Sequence, residues 1–119
     1  FDARSESDDG DLKVELFASD PKHEAGYILI FGGWKNRINT IARLDEHGSD
    51  RLETQSPRVQ KGKVYRFVIV RRDGTLTWYL DKKAILSFQD SDPLKGSFFG
   101  FNDWDTPVYF DNLQIYNLK

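Results

Sequence analysis

The chain has 119 residues, 39% hydrophobic and 30% charged, with a net charge of −2; it is long enough for one core and lacks the basic excess that a nucleic-acid backbone demands. It has no cysteine, which excludes disulfides and thiolate metal sites without fixing a compartment. No run approaches the roughly 18 apolar residues of a membrane span, and nothing at the start reads as a targeting segment. Three Trp, five Tyr and nine Phe are too many for so small a core, so some are expected at a surface site or an interface. With no Met and a first residue Phe1, the chain reads as a processed chain, an excised domain or part of a longer one, forming a single domain over 1–119.

Phe1 to Asp11 is polar and acidic and reads as a loop. Leu12, Val14, Leu16 and Ala18 alternate with Lys13, Glu15 and Phe17, the period of a half-buried strand, and Asp20-Pro21 ends it. Gly26 to Trp34 is apolar without alternation, which predicts a central strand covered on both faces, with Gly32-Gly33 permitting a bulge or close approach at its end. Ile38 to Leu44 predicts the next strand. The charged stretch Asp45 to Lys61 predicts a long loop with a short edge strand around Leu52.

Val64 to Val70 predicts a strand with Tyr65, Phe67 and Ile69 on one face. Asp73-Gly74 supplies the turn chemistry of a tight hairpin. The return strand places Trp78 with Leu76 and Leu80 toward the core and leaves Tyr79 outside. A second tight turn at Asp81-Lys82-Lys83 leads to Ala84–Phe88, completing a meander. Ser97–Phe101 is a short strand, Asn102–Pro107 a loop, and Val108–Leu118 the last strand, its parity shift explained by a bulge at Asp111-Asn112. About eight strands and no helical stripe predict an all-β, antiparallel two-sheet sandwich or jelly roll.

The closing run carries a resemblance. DGTLTWYLDKKAILSF from Asp73, PLKGSFFGFN from Pro93 and VYFDNLQI from Val108 resemble concanavalin A-like lectin/glucanase domains, the two-sheet sandwiches of laminin G-like modules and legume lectins. Within that superfamily they look most like bacterial domains related to the 3-keto-disaccharide hydrolase type. The resemblance covers residues 63–118. It implies the fold and says little about activity, because this scaffold hosts lectins, hydrolases and structural modules alike. Members often begin with a strand that pairs beside the final one, and nothing before Leu12 reads as that strand. The sandwich is therefore expected to lack its N-terminal strands, with a preceding segment, another chain or a neighbouring domain covering the Val108–Leu118 edge.

Three clusters could carry chemistry. At Gly32-Gly33-Trp34-Lys35-Asn36, Trp34 could stack on a sugar with Asn36 or Arg37 bonding hydroxyls; a core Trp after a glycine bend is the plainer reading. The run Arg43, Asp45, Glu46 and His47 offers a carboxylate beside an imidazole for acid–base work, with Arg43, Asp45 and His47 on one strand face. An ordinary salt-bridged turn competes, and the alternating carboxylates that the superfamily's glucanases place along a strand are absent. Asn102, Asp103, Trp104 and Asp105 form a sugar-binding loop, or a polar turn pinned by a packed Trp. With Asp90 and Asp92, Asp103 and Asp105 could instead hold Ca²⁺, the one cofactor this sequence suggests. Tyr79 is the remaining surface aromatic. Asp8-Asp9-Gly10-Asp11 reads as a solvated acidic loop.

These features favour a non-catalytic carbohydrate- or surface-binding module of an extracytoplasmic bacterial protein, its partner a glycan or cell-surface polymer. A glycoside-acting hydrolase using Arg43, Asp45, Glu46 and His47 is the first alternative. A structural protein completed by strand addition from another chain is the second.

Overall fold

In the computed structural model, which describes residues 1–118, ten strands form two antiparallel five-stranded sheets. In chain order these are β1 (Asp2–Ser5), β2 (Leu12–Ala18), β3 (Tyr27–Gly32), β4 (Ile38–Arg43), β5 (Leu52–Thr54), β6 (Val64–Arg72), β7 (Thr75–Leu80), β8 (Lys83–Gln89), β9 (Phe98–Asn102) and β10 (Val108–Asp111). One sheet has the order β10-β1-β6-β7-β8 and the other β5-β4-β3-β2-β9. The two-sheet sandwich expected from the closing run is the architecture found.

Alternation builds the core. Tyr65 and Phe67 of β6, with Leu76, Trp78 and Leu80 of β7, face Leu12, Val14, Leu29 and Phe31 from the other sheet. Trp78 is fully buried, stacked on Phe67 with ring centroids 5.4 Å apart and edge-on to Phe31 at 6.1 Å. β3 is buried at every residue: Tyr27, Leu29 and Phe31 join the core, while Ile28 and Ile30 pack outside it with Ala42 and Trp34. The hairpins follow their turn chemistry, with Asp73 and Gly74, then Asp81 and Lys82, all at positive φ.

Two expectations about the ends are corrected. Phe1–Asp11 is not wholly a loop, because β1 lies between β6 and β10 and pairs with both. Its strand character is concealed by small inward residues, Ala3 and Ser5, both buried, and Phe1 inserts its ring among Phe67, Phe101 and Phe110. The final strand stops at Asp111 rather than Leu118, where Asn112 adopts a φ of 55°. The strand position beside Val108–Asp111, expected to be missing, is therefore occupied by the chain itself.

The β3–β4 connection, Gly33–Asn36, is one turn of left-handed helix: Trp34, Lys35 and Asn36 have φ of 51°, 58° and 62°. Each such residue costs about 1–2 kcal/mol, so the turn must be held from outside. Asn36 supplies the clasp. Its Nδ2 donates to the carbonyls of Val59 (2.7 Å) and Asp8 (3.1 Å), and its Oδ1 accepts from the Val59 N–H at 2.9 Å. Asn39 repeats the device, accepting from Gly32 N–H and donating to the Pro57 carbonyl. At Gly32, φ is 75° and a Cβ would lie 2.5 Å from Val59 Cγ2, so both backbone and space require glycine.

The indole N–H of Trp78 has no hydrogen-bond partner among the described residues. Trp78→Ala should therefore cost about 3–5 kcal/mol in urea unfolding, whereas Trp78→Phe, which deletes the unpaired N–H while keeping a ring, should cost less than half as much. Equal losses would contradict this packing.

Candidate functional site

The sheet β5-β4-β3-β2-β9 turns one face to the core and the other outward. Its registers set the outward face in rows: Glu53, Thr40, Ile30, Lys13 and Asn102 lie across the strands in one row, and Ala42, Ile28, Glu15 and Gly100 in the next. Most of this face is roofed. Trp34 covers Ile28, Ile30 and Ala42. Lys13 is buried beneath Glu46, at 3.1 Å. Glu15 is buried beneath the Ser19–Gly26 loop, bonding His23 Nδ1 at 2.7 Å and accepting from the Glu24 N–H at 2.7 Å. The roof is a network in which each buried charge has a partner, as burial requires.

Two tryptophans leave the same end of this sheet. β3 and β9 flank β2 and both run antiparallel to it, so the loops that follow them emerge together, about 10 Å apart at two strand spacings. Trp34 follows β3 and is half-buried. The Arg51 guanidinium lies over its ring at 4.6 Å, and His47 meets it edge-on at 5.7 Å. Beside it an open hollow of about 460 Å³ is lined by His47, Gly48, Ser49, Arg51 and Glu53. Trp104 follows β9 and is 81% exposed.

Exposure of Trp104 does not come from a loose loop. Its backbone N–H donates to the Asp11 carboxylate, and Asp103 caps the turn, accepting from the Thr106 N–H at 3.0 Å and from its hydroxyl at 3.4 Å. Asn102 Oδ1 accepts from the Asp103 N–H at 2.8 Å, leaving its Nδ2 as a donor, and Asp105 is exposed. Burial pushes the Asp11 carboxyl upward, and the Trp104 N–H partly opposes that shift. The Asp8–Asp11 run is thus divided: Asp8 and Asp9 are exposed, while Asp11 is buried. Reading the whole run as solvated missed Asp11. Arg51 was missed as well, because nothing distinguishes it within its charged stretch.

The other sequence-derived candidates are dispersed. Tyr79, half-buried, lies on the opposite sheet, between Val68 and Ala84. The Asn36 amide is committed to the clasp described above. β4 ends at Arg43 and Leu44 takes a φ of 65°, so the expected shared face of Arg43, Asp45 and His47 does not form. Arg43 turns to Asp90, its Nε donating at 2.8 Å, and to the Asp92 carbonyl at 3.0 Å. Asp45 accepts from the His47 N–H at 2.9 Å within its own turn. Glu46 holds Lys13, and the His47 ring is largely in solvent. Asp90 also accepts from the Tyr27 hydroxyl at 2.7 Å. Among the described residues no three His, Cys, Asp or Glu side chains gather as a metal site, so Asp90, Asp92, Asp103 and Asp105 do not converge. A second open hollow, of about 500 Å³, lies by Pro57, Lys63, Leu80 and Ile85.

A family model described as Farnesoic acid 0-methyl transferase matches residues 10–114. No curated protein matches the chain. Among solved structures, the carbohydrate binding module CBM66 from Bacillus subtilis is similar with a TM-score of 0.74 and 20% identity, over 93% of this chain and 68% of that one. Sheep galectin-11, in complex with glycerol, is similar with a TM-score of 0.61 and 12% identity, over 91% and 85%. Identities this low make the likeness one of fold. It agrees with the antiparallel two-sheet β-sandwich described above.

Two predictions test these arrangements. Asp11→Asn keeps an acceptor for the Trp104 N–H and removes a buried charge, so at pH 7 it should match or exceed the parent's stability. Asp11→Ala should lose about 1–2 kcal/mol and speed hydrogen exchange at the Trp104 amide; equal behaviour of the two variants would contradict the pinning. At Asp90, burial pushes the carboxyl up, but hydrogen bonds from Tyr27, Arg43 and the Asp92 N–H outweigh it and hold the group below its ordinary range. A lowered carboxyl stabilises the fold above the unfolded-state value, about pH 4, and loses that contribution as pH falls through the folded-state value. Asp90→Asn should therefore cost about 1.5–3 kcal/mol at pH 7, with the difference from the parent closing below about pH 4. A difference independent of pH would contradict the assignment.

Proposed function

We propose that this chain, which belongs to the family described as Farnesoic acid 0-methyl transferase, is a non-catalytic carbohydrate-binding β-sandwich module of an extracytoplasmic protein. The observation that carries the reading is Trp104, an indole exposed to 81% on a loop whose backbone is held by buried Asp11 and capped by Asp103. A solvent-facing aromatic disc invites the apolar face of a sugar ring, and a loop backbone held beforehand lowers the entropy cost of binding. Asn102 Nδ2 and the exposed Asp105 carboxylate supply a donor and acceptors for hydroxyls at its rim. Trp34, with Arg51 and His47 at the same end of the sheet, extends the surface toward a second sugar unit. The likeness of fold to a carbohydrate binding module and to a galectin supports the same reading. No helix among the described residues is long and apolar enough to cross a membrane.

This reading departs from the reaction in the family's description. Methyl transfer to farnesoic acid calls for an enclosed apolar slot for the long chain, beside a site for a methyl donor. The space between these sheets is filled by Tyr27, Phe31, Phe67 and Trp78, and the two hollows are open to solvent and partly polar. The residues present do not fit a methyl donor. The alternative of a glycoside-acting hydrolase would need Arg43, Asp45, Glu46 and His47 to act together, and the engagement of Arg43 with Asp90 rather than with Glu46 and His47 favours the binding reading.

A single exposed indole gives weak binding, strengthened by repetition of the module or the ligand. In a panel of plant, bacterial and animal oligosaccharides followed by tryptophan fluorescence, at least one should quench saturably. Trp104→Ala should weaken that ligand roughly tenfold, about 1.4 kcal/mol. Silence across the panel, or unchanged affinity in the variant, would sink the proposal.

A further inference from the structure

The two sheets end side by side at β5 and β8, each the last strand of its own sheet. Between them opens the hollow of about 500 Å³ by Pro57, Lys63, Leu80 and Ile85, a volume in the range of small-ligand sites. β4, β3 and β2 separate β5 from β9, so this hollow is remote from the Trp104 loop.

Its floor is apolar. Tyr65 and Leu80 are buried. The Tyr65 hydroxyl is committed elsewhere, accepting from the Gln60 N–H at 2.8 Å and donating to the Arg58 carbonyl at 3.4 Å, so the hollow meets its ring. Ile85 reaches the floor through a bulge. The β7–β8 register passes from Trp78↔Leu86 to Tyr79↔Ala84, which leaves Ile85 unpaired, and both Ile85 and Leu86 pack toward the core. A bulge re-aims a side chain that strict alternation would send outward.

The rim is cationic. Lys83 pairs with Leu80 across the strands, and paired residues share a face, so its side chain sits at the hollow rather than on the outer face of the sheet. Among the described residues it has no ion-pair partner. Lys63 lies with its ammonium 4.8 Å from the Tyr65 ring centroid; at 3.9 Å from Asp81 Oδ2 it is too far to hydrogen-bond. Asp81, the one acid of the lining, already accepts from the Arg66 N–H at 2.8 Å. Two lysines against one aspartate leave the lining a net charge of +1, in a chain whose total is −2. Each ammonium carries three donors, and neither spends one on the described residues.

We propose that this hollow is a second binding site, for a carboxylate carried on a compact apolar body. The carboxylate accepts charge-assisted hydrogen bonds from Lys63 and Lys83, and the body covers Leu80, Ile85 and the Tyr65 ring. A bare anion would leave that floor in water, and a neutral apolar molecule would leave the donors unanswered. The open mouth suits a compact body rather than a long chain.

Titration with phenylacetate, followed by backbone amide resonances, tests the proposal. The amides of Tyr65, Leu80, Ala84 and Ile85 should shift saturably while those of Asn102 to Asp105 stay fixed. Two analogues separate the parts of the ligand: 2-phenylethanol lacks the charge and acetate lacks the ring. Each should bind roughly tenfold more weakly than phenylacetate, or worse. Lys63→Ala with Lys83→Ala should reduce phenylacetate to the level of 2-phenylethanol, whereas Lys63→Arg with Lys83→Arg should keep its advantage. No saturable shift, or shifts centred outside the hollow, would overturn the proposal. So would an alcohol or an acetate that binds as tightly as phenylacetate, or an affinity that survives loss of both lysines.

Discussion

Insertion of β1 between β6 and β10 is the constraint on which the rest of the molecule depends. Among the described residues β10 pairs with no strand other than β1, and the loop that carries Trp104 spans from β9 in one sheet to β10 in the other. One four-residue strand, Asp2–Ser5, therefore fixes the outer strand of one sheet and through it one anchor of the candidate site. Phe1 reinforces this by stacking on Phe67 at 4.7 Å, while Phe101 and Phe110 stack at 4.2 Å to lock β9 against β10. The segment lies outside the residues matched by the family model, 10–114, yet the sheet is discontinuous without it.

A second constraint acts at the same end. The left-handed turn at Trp34 is held by two asparagine side chains against the Pro57–Val59 backbone, and that turn lays Trp34 over Ile28, Ile30 and Ala42. Backbone strain of this kind persists where the surroundings over-determine it. One tryptophan is thus spent roofing the sheet, and another is presented to solvent. The difference between them is decided by backbone contacts: Asn36 pulls one loop down onto the sheet, and Asp11 props the other up.

Much of the fold was legible because it is local. The alternation of Val64–Val70 and Leu76–Leu80 about Asp73-Gly74 specifies a hairpin with little help from elsewhere, and Trp78 went to the core as its parity with Leu76 and Leu80 required. β1 was not legible, because its strand character comes from partners 60 or more positions away and its inward residues are Ala3 and Ser5. The last strand read too long for the complementary reason: Leu113 and Ile115 repeat at the spacing of a strand, but residues 113–118 have no pairing partner among the described residues. At the site, Trp34 and Trp104 could be named from residue type, but not which would be covered. That depended on Arg51 and His47 reaching Trp34 and on Asp11 reaching Trp104, contacts between distant segments that no local pattern announces. Asn36 offered a signal, since asparagine tolerates the left-handed region, but it pointed to a turn rather than to a clasp.

In the proposed function Trp104 meets a sugar ring while the buried Trp78 does not. Indole N–H resonances of the three tryptophans, followed during titration with an oligosaccharide from the quenching panel, test this most directly. Trp104 should shift saturably, Trp34 by a smaller amount, and Trp78 not at all. A ligand that binds while the Trp104 resonance stays fixed would contradict the account.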